Sequence, residues 1–234
     1  MDRRCIVICD SGVGGLRLLK RLERAFPRED FIYYADYKNL PYGEKTCEEL
    51  VSIVQGVYDN LVKFSPKLVV FACNTASTVA LQKIKAYNSP VMGVYPTLGK
   101  GNGLLLCTKG TANSDYVKNL TRGKTVEVKA LSGLAEEIEN SIILGSEINL
   151  ERYFKGEKSD YDFISLGCTH YPFITENLKK YFPSSKFLSG EDLLFEKIVF
   201  FITTFDTDQK RGKICFLGER KKELKKVYKN LKLL

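Results

Sequence analysis

The 234-residue chain has a single histidine, no Cys-x-x-Cys pair and no low-complexity segment or short repeat. Nor does any apolar run approach the ~20 residues that a membrane span needs. Each absence removes a class of function. The N-terminal apolar run Cys5-Ile6-Val7-Ile8-Cys9 stops at Asp10, too short for a secretion signal, so no membrane partner and a cytoplasmic location are expected. Seven cysteines, an odd number, form no disulfide framework in such a chain, and reduced thiols are expected. The stretch Asp10-Ser11-Gly12-Val13-Gly14-Gly15 lacks both the Gly-Lys-Ser/Thr ending of a P-loop and the third glycine of a dinucleotide fingerprint. Its glycines and free N–H groups suit an anion, and a carboxylate fits better than a phosphate.

What is present is ordinary for a globular protein: 44% hydrophobic and 27% charged residues, enough for a packed core. The net charge of +8 is concentrated in Arg220–Lys232. There Leu224, Val227, Tyr228 and Leu231 recur at helical spacing, which makes the lysines the solvated face of an amphipathic helix. No nucleic-acid-binding motif accompanies the charge, so a nucleic-acid partner is not expected, although the positive field favours an acidic substrate.

Apolar runs alternate with amphipathic stretches, the pattern of parallel sheets with crossover helices. Strands are predicted near Cys5–Cys9, Phe31–Tyr34, Leu68–Ala72 and Val91–Val94, with helices near Val13–Phe26, Lys45–Phe64 and Ser77–Tyr87. Pro96 and Gly99-Lys100-Gly101-Asn102-Gly103 then interrupt the series. A second series follows, with strands Leu104–Cys107, Thr125–Lys129 and Phe163–Leu166 and helices Ala112–Leu120, Gly133–Ile143, Phe173–Tyr181 and Glu191–Phe201. After the polar stretch Asp206–Gly212, a strand Lys213–Leu217 and the basic helix are expected to return to the first unit. The division is therefore residues 1–96, 97–205 and 206–234.

Two cysteines stand apart from the rest. Leu68-Val69-Val70-Phe71 leads into Ala72-Cys73-Asn74-Thr75, and Phe163-Ile164-Ser165-Leu166 leads into Gly167-Cys168-Thr169-His170. Each thiol thus leaves the carboxyl end of a strand, where open α/β sheets place ligands. An ordinary thiol pKa of ~8.5 lets such a group serve as acid or base once a neighbour adjusts it. In an extended segment Cys168 and His170 project to the same side, and Asp10, ending the first strand, stands near any ligand in the crevice or caps the helix that follows. Cys5, Cys9, Cys107 and Cys215 lie within apolar runs and read as small buried hydrophobes, and Cys47 lies in a polar helix start. None of these five is given a role.

Five motifs in order carry a resemblance: Asp10-Ser11-Gly12-Val13-Gly14-Gly15; Asp36 with Pro41-Tyr42-Gly43-Glu44-Lys45; Ala72-Cys73-Asn74-Thr75-Ala76; Thr108-Lys109-Gly110-Thr111; and Leu166-Gly167-Cys168-Thr169-His170-Tyr171-Pro172. Together they resemble glutamate racemase, in the aspartate/glutamate racemase superfamily. The resemblance implies two similar α/β domains, each a mostly parallel sheet flanked by helices, with the active site at the domain interface. It also implies cofactor-independent interconversion of L- and D-glutamate for peptidoglycan, with Cys73 and Cys168 on opposite faces of the α-carbon exchanging the roles of thiolate base and thiol acid. Asp10 would assist Cys73, and His170 with Glu139 would assist Cys168. Asp10, Ser11, Tyr42, Gly43, Asn74, Thr75, Thr111, Thr169 and His170 would hold the substrate.

The family's Ala-Cys-Pro and Val-Pro stretch before the supporting glutamate is replaced here by Ala130–Glu139, so Glu139 is chosen by spacing, with Glu136 and Glu137 open. Aspartate in place of glutamate stays open, as does the oligomeric state, a homodimer included. A different chemistry, a zinc hydrolase using Cys73, Cys168 and His170, has the right ligand types but no tight ligand spacing. No metal is therefore expected.

Overall fold

The computed structural model describes residues 4–205 and 211–232. Among the described residues nine strands form two sheets, each wholly parallel. The first has the order β4-β3-β1-β2-β9, from β1 (Ile6–Asp10), β2 (Phe31–Ala35), β3 (Leu68–Phe71), β4 (Val91–Gly93) and β9 (Ile214–Gly218). The second has the order β6-β5-β7-β8, from β5 (Gly103–Cys107), β6 (Val126–Ala130), β7 (Phe163–Gly167) and β8 (Lys186–Ser189). Every residue of β1, β3, β5 and β7 is buried, as strands covered on both faces require.

The order β4-β3-β1-β2 repeats as β8-β7-β5-β6, so the second sheet is a topological copy of the first without the added β9. In each copy the connections leave in opposite directions from two adjacent strands, β1 and β3 or β5 and β7. Those are the switch points at which a parallel sheet opens a crevice. Asp10 and Cys73 lie at the first switch point, Thr108 and Cys168 at the second.

Helices α1 (Leu16–Ala25) and α2 (Cys47–Leu61) cover the first sheet; α2 is started by a capping box in which Thr46 and Glu49 satisfy each other's backbone N–H. The stretch expected as one helix, Ala112–Leu120, is two, α3 (Lys109–Asn113) and α4 (Asp115–Thr121). Ser114 breaks it: its hydroxyl donates to Thr111 O and accepts from Val117 N, closing one helix and capping the next. Then follow α5 (Leu134–Leu144), α6 (Glu151–Phe154), α7 (Thr175–Leu178), α8 (Gly190–Ile202) and α9 (Lys221–Asn230). The helix α8 puts Leu194, Ile198 and Ile202 into the core built by β1, β2 and α1. The strand β9 joins the first sheet, as expected of the last strand, and α8 and α9 share the core beneath it.

Several expectations change. The helix expected over Ser77–Tyr87 is a π-helical turn, Ala76–Ala80, where the Ser77 hydroxyl bonds Cys73 O at 2.8 Å and Phe71 O at 3.2 Å. The helix expected over Phe173–Tyr181 is a 3-10 turn, Tyr171–Ile174, with Pro172 in its first turn, followed by the short α7. The edge strand β8 and the single-turn α6 had no counterpart in the sequence reading. Cys215 is exposed and Cys5 half-buried, not core residues, because β9 is an edge strand and Cys5 precedes β1. Asp206–Lys210 of the polar stretch, and Met1–Arg3, lie outside the described residues. No helix among the described residues is long and apolar enough to cross a membrane.

Candidate active site

Cys73 and Cys168, each 6% exposed, line one cavity between the two sheets. The space at this cleft, open solvent at its mouth included, is about 590 Å³. Ser11, Tyr42, Gly43, Asn74, Thr75, Thr169 and His170 share the wall with the two thiols. Asp10 and Thr111 stand behind it. The Thr111 hydroxyl reaches Thr75 Oγ1 at 3.2 Å, and Thr108 of the same motif takes the wall position. Tyr42 presents its ring and backbone, since its hydroxyl donates to the buried Asp36 Oδ2 at 2.7 Å.

Asn74 shows where a polar ligand belongs. Its side-chain nitrogen is buried with no hydrogen-bond partner, a deficit of about 1–3 kcal/mol unless something in the cavity accepts from it.

Around Cys73 the charged neighbour is an anion. Asp10 is 1% exposed; its Oδ1 accepts from Gly12 N at 2.9 Å and its Oδ2 from the Thr169 hydroxyl at 3.1 Å, so the second unit grips it. Burial first, and then the Asp10 charge, push the Cys73 thiol up to about 12. Burial also raises the Asp10 carboxyl itself, against the pull of the His170 charge and these hydrogen bonds.

Around Cys168 a dyad takes the place of the lone acid. His170 Nδ1 lies 3.8 Å from Cys168 Sγ, and Nε2 lies 2.7 Å from Glu139 Oε2. The approach of Cys168 to His170 comes from a turn, with His170 at φ −79° and ψ −32°, where an extended segment was expected. Burial opposes a charge on His170, but its hydrogen bonds to Cys168 and Glu139 outweigh burial and hold the imidazole well above its usual range. The Glu139 carboxyl is held below its usual range: burial would raise it, while His170, Tyr37 and the Val13 N–H more than compensate. Of the three candidate acids only Glu139 reaches His170. Glu137 accepts from Tyr153 and Arg152, and Glu136 lies at the cavity wall.

Two N–H groups of the glycine motif bond carboxylates of the protein itself: Val13 N donates to Glu139 Oε2 at 2.8 Å and Gly12 N to Asp10. Ser11 of the same turn lines the cavity. A Cβ at Gly12 would stand 2.3 Å from Glu139 Oε2, and one at Gly14 would stand 2.4 Å from Thr169 Oγ1. These glycines let the second unit close against the first.

Both nitrogens of the only histidine are thus engaged by Glu139 and Cys168. Among the described residues no group of three His, Cys, Asp or Glu side chains is arranged to hold a metal ion.

Paired α/β units of identical strand order, each sending one thiol into a shared cleft, define a class of two-thiol enzymes acting between two sheets. The relatives narrow it. The glutamate racemase of Clostridium botulinum (strain Alaska E43) is 37% identical over 198 residues, covering 77% of each chain. That of Clostridium acetobutylicum is 38% identical over 189 residues, covering 74% of each. Among solved structures, Escherichia coli glutamate racemase in complex with L-glutamate and the activator UDP-MurNAc-ala superposes with a TM-score of 0.79 at 26% identity, over 97% of this chain and 95% of that one. The Campylobacter jejuni glutamate racemase gives 0.76 at 28% identity, over 96% of each. No protein-family model matches the chain. The chain belongs to the glutamate racemase family.

Proposed function

We propose that this chain interconverts L- and D-glutamate by moving the α-proton between Cys73 and Cys168. The observation that carries the reading is the pair of thiols on one cavity with unlike proton partners. In one direction Cys168, with the His170 cation beside it, serves as the thiolate base and takes the α-proton, leaving the electron pair on a planar α-carbon. Cys73, which keeps its proton, delivers it to the other face and ends as the thiolate. The reverse direction exchanges the roles, and the two thiols carry the same number of protons before and after. The His170 cation at the wall offsets the negative charge that develops on the substrate.

In this reading Asp10 supports Cys73, and Glu139 supports Cys168 through His170. Ser11, Gly43, Asn74, Thr75 and Thr169, with the Tyr42 ring, hold the carboxylates and ammonium, and Thr111 acts through Thr75. The unpaired Asn74 nitrogen supports this, since a carboxylate oxygen would complete it. We divide the chain into a first domain to residue 96 and a second beginning at 97, with the segment from Gly190 packing back on the first. A reducing cytoplasm suits the seven free cysteines, and D-glutamate made there supplies peptidoglycan.

The test is a racemisation assay on L- and D-glutamate and L- and D-aspartate, without added cofactor or metal. Interconversion of the glutamates is expected; turnover of aspartate alone would transfer the site to the shorter acid, and no turnover of either would overturn the reading.

A further inference from the structure

Glu139 is carried by α5 in the second unit, yet two of the three groups that bond its carboxylate come from the first. Val13 N donates to Oε2 at 2.8 Å, and the Tyr37 hydroxyl donates to Oε1 at 2.5 Å. Only His170, on Oε2 at 2.7 Å, comes from the second unit. Tyr37 lies two residues beyond β2, half-buried, and it is not among the residues lining the cavity. Burial, then the nearby Glu139 charge, push its phenol far up, so it stays a hydrogen-bond donor to the carboxylate. On its ring rests Arg220, the residue before α9, with the guanidinium carbon 5.1 Å from the ring centroid.

The terminal torsion of a glutamate is broad, so one bonded oxygen leaves the carboxylate free to turn about it. With Val13 and His170 both on Oε2, Tyr37 is what fixes Oε1 and hence the plane of the carboxylate. We propose that Tyr37 is a positioning residue for proton transfer at Cys168: it sets the Glu139 carboxylate that orients His170, and Arg220 of the returning C-terminal segment holds its ring in place. The chain of contacts Arg220, Tyr37, Glu139, His170, Cys168 then links the C-terminal segment to one thiol and not to the other. Its kinetic consequence rests on the racemase reading; its structural consequence does not.

The single histidine makes the test direct, because every imidazole nitrogen signal in an NMR spectrum of the labelled protein belongs to His170. Tyr37→Phe keeps the ring and removes the hydroxyl. It is expected to lower kcat about tenfold while KM stays within about twofold, since a bond to a charged group is lost outside the substrate contacts. The imidazole signals should shift with it. In a Glu139→Gln background the same substitution should add little to either change, because the group it acts through is gone. Arg220→Ala, which leaves the hydroxyl in place, should shift the same signals by less. The proposal is overturned if Tyr37→Phe leaves kcat and the imidazole signals as in the wild type, or lowers kcat by the same factor with Gln at position 139. If the wild-type protein turned over no amino acid, the racemase reading would fall while the imidazole shifts would still decide the contact chain.

Discussion

Cys73 and Cys168 each follow the third strand of a set of four in the same order, and the register matches their neighbours residue for residue. Cys9 pairs with Phe71 and Cys107 with Gly167, which sets Asp10 against Cys107, Asn74 against Thr169 and Thr75 against His170. The scaffold is one design used twice; the company of the thiol is not. In the first half an acid on the neighbouring strand discourages a thiolate, and Cys73 holds its proton up to about 12. In the second half that strand position holds Cys107, itself a thiol that burial pushes to about 12 and so uncharged near neutrality. The acid arrives instead from α5 and acts through an imidazole that the first half lacks. The hold of Cys73 on its proton is therefore set by the residue that ends the neighbouring strand and not by the shared fold.

The asymmetry has a thermodynamic bound. Enantiomers have equal free energy in water, so kcat/KM must be the same in both directions, and unlike halves appear only in kcat and KM separately.

The most damaging changes are at the thiols. Cys73→Ala and Cys168→Ala each remove one of the two proposed proton carriers, and each is expected to lower racemisation by at least about a thousandfold, read by polarimetry or chiral chromatography. Near-normal turnover by either variant would break the pairing of the halves. Glu139→Gln leaves both thiols but strips the imidazole of its counter-charge, so a loss of about fiftyfold in kcat is expected, with KM little changed. A smaller but more selective effect is expected from Asp10→Asn. The Asp10 anion raises Cys73; removing it must lower the pH at which Cys73 ionises, by roughly one unit. Alkylation of Cys73, followed by mass spectrometry across pH, should then begin at lower pH than in the wild type. A shift of Cys73 upward, or none, would sever Asp10 from that thiol.

Much of this was legible from residues alone, and the misses share a cause. The central strands announce themselves because both faces are buried, so β1, β3, β5 and β7 read as unbroken apolar runs. The edge strands do not: β8 has only Phe187 and Leu188 as apolar residues, and Cys215 on β9 lies in an apolar run yet faces solvent. The two thiols and His170 were visible because their chemistry is local to a strand end. Thr108 and Tyr37 were not assigned to the site, because each acquires its role from a partner far away in sequence, Tyr37 from a carboxylate 102 positions on. The glycine turn reads as an anion site, but nothing within ten residues of Val13 indicates that Glu139, 126 positions away, takes its N–H.

Racemisation run in heavy water tests the central claim, two thiols of separate function on one cavity, most directly. The thiol that donates carries a single proton, which exchanges with solvent while the site is free. At early conversion the product enantiomer should therefore carry deuterium at the α-carbon, while the remaining substrate stays unlabelled, starting from either L- or D-glutamate. Product that retains its original α-proton, or label entering substrate and product equally from the outset, would mean that one group serves both faces and would contradict the account.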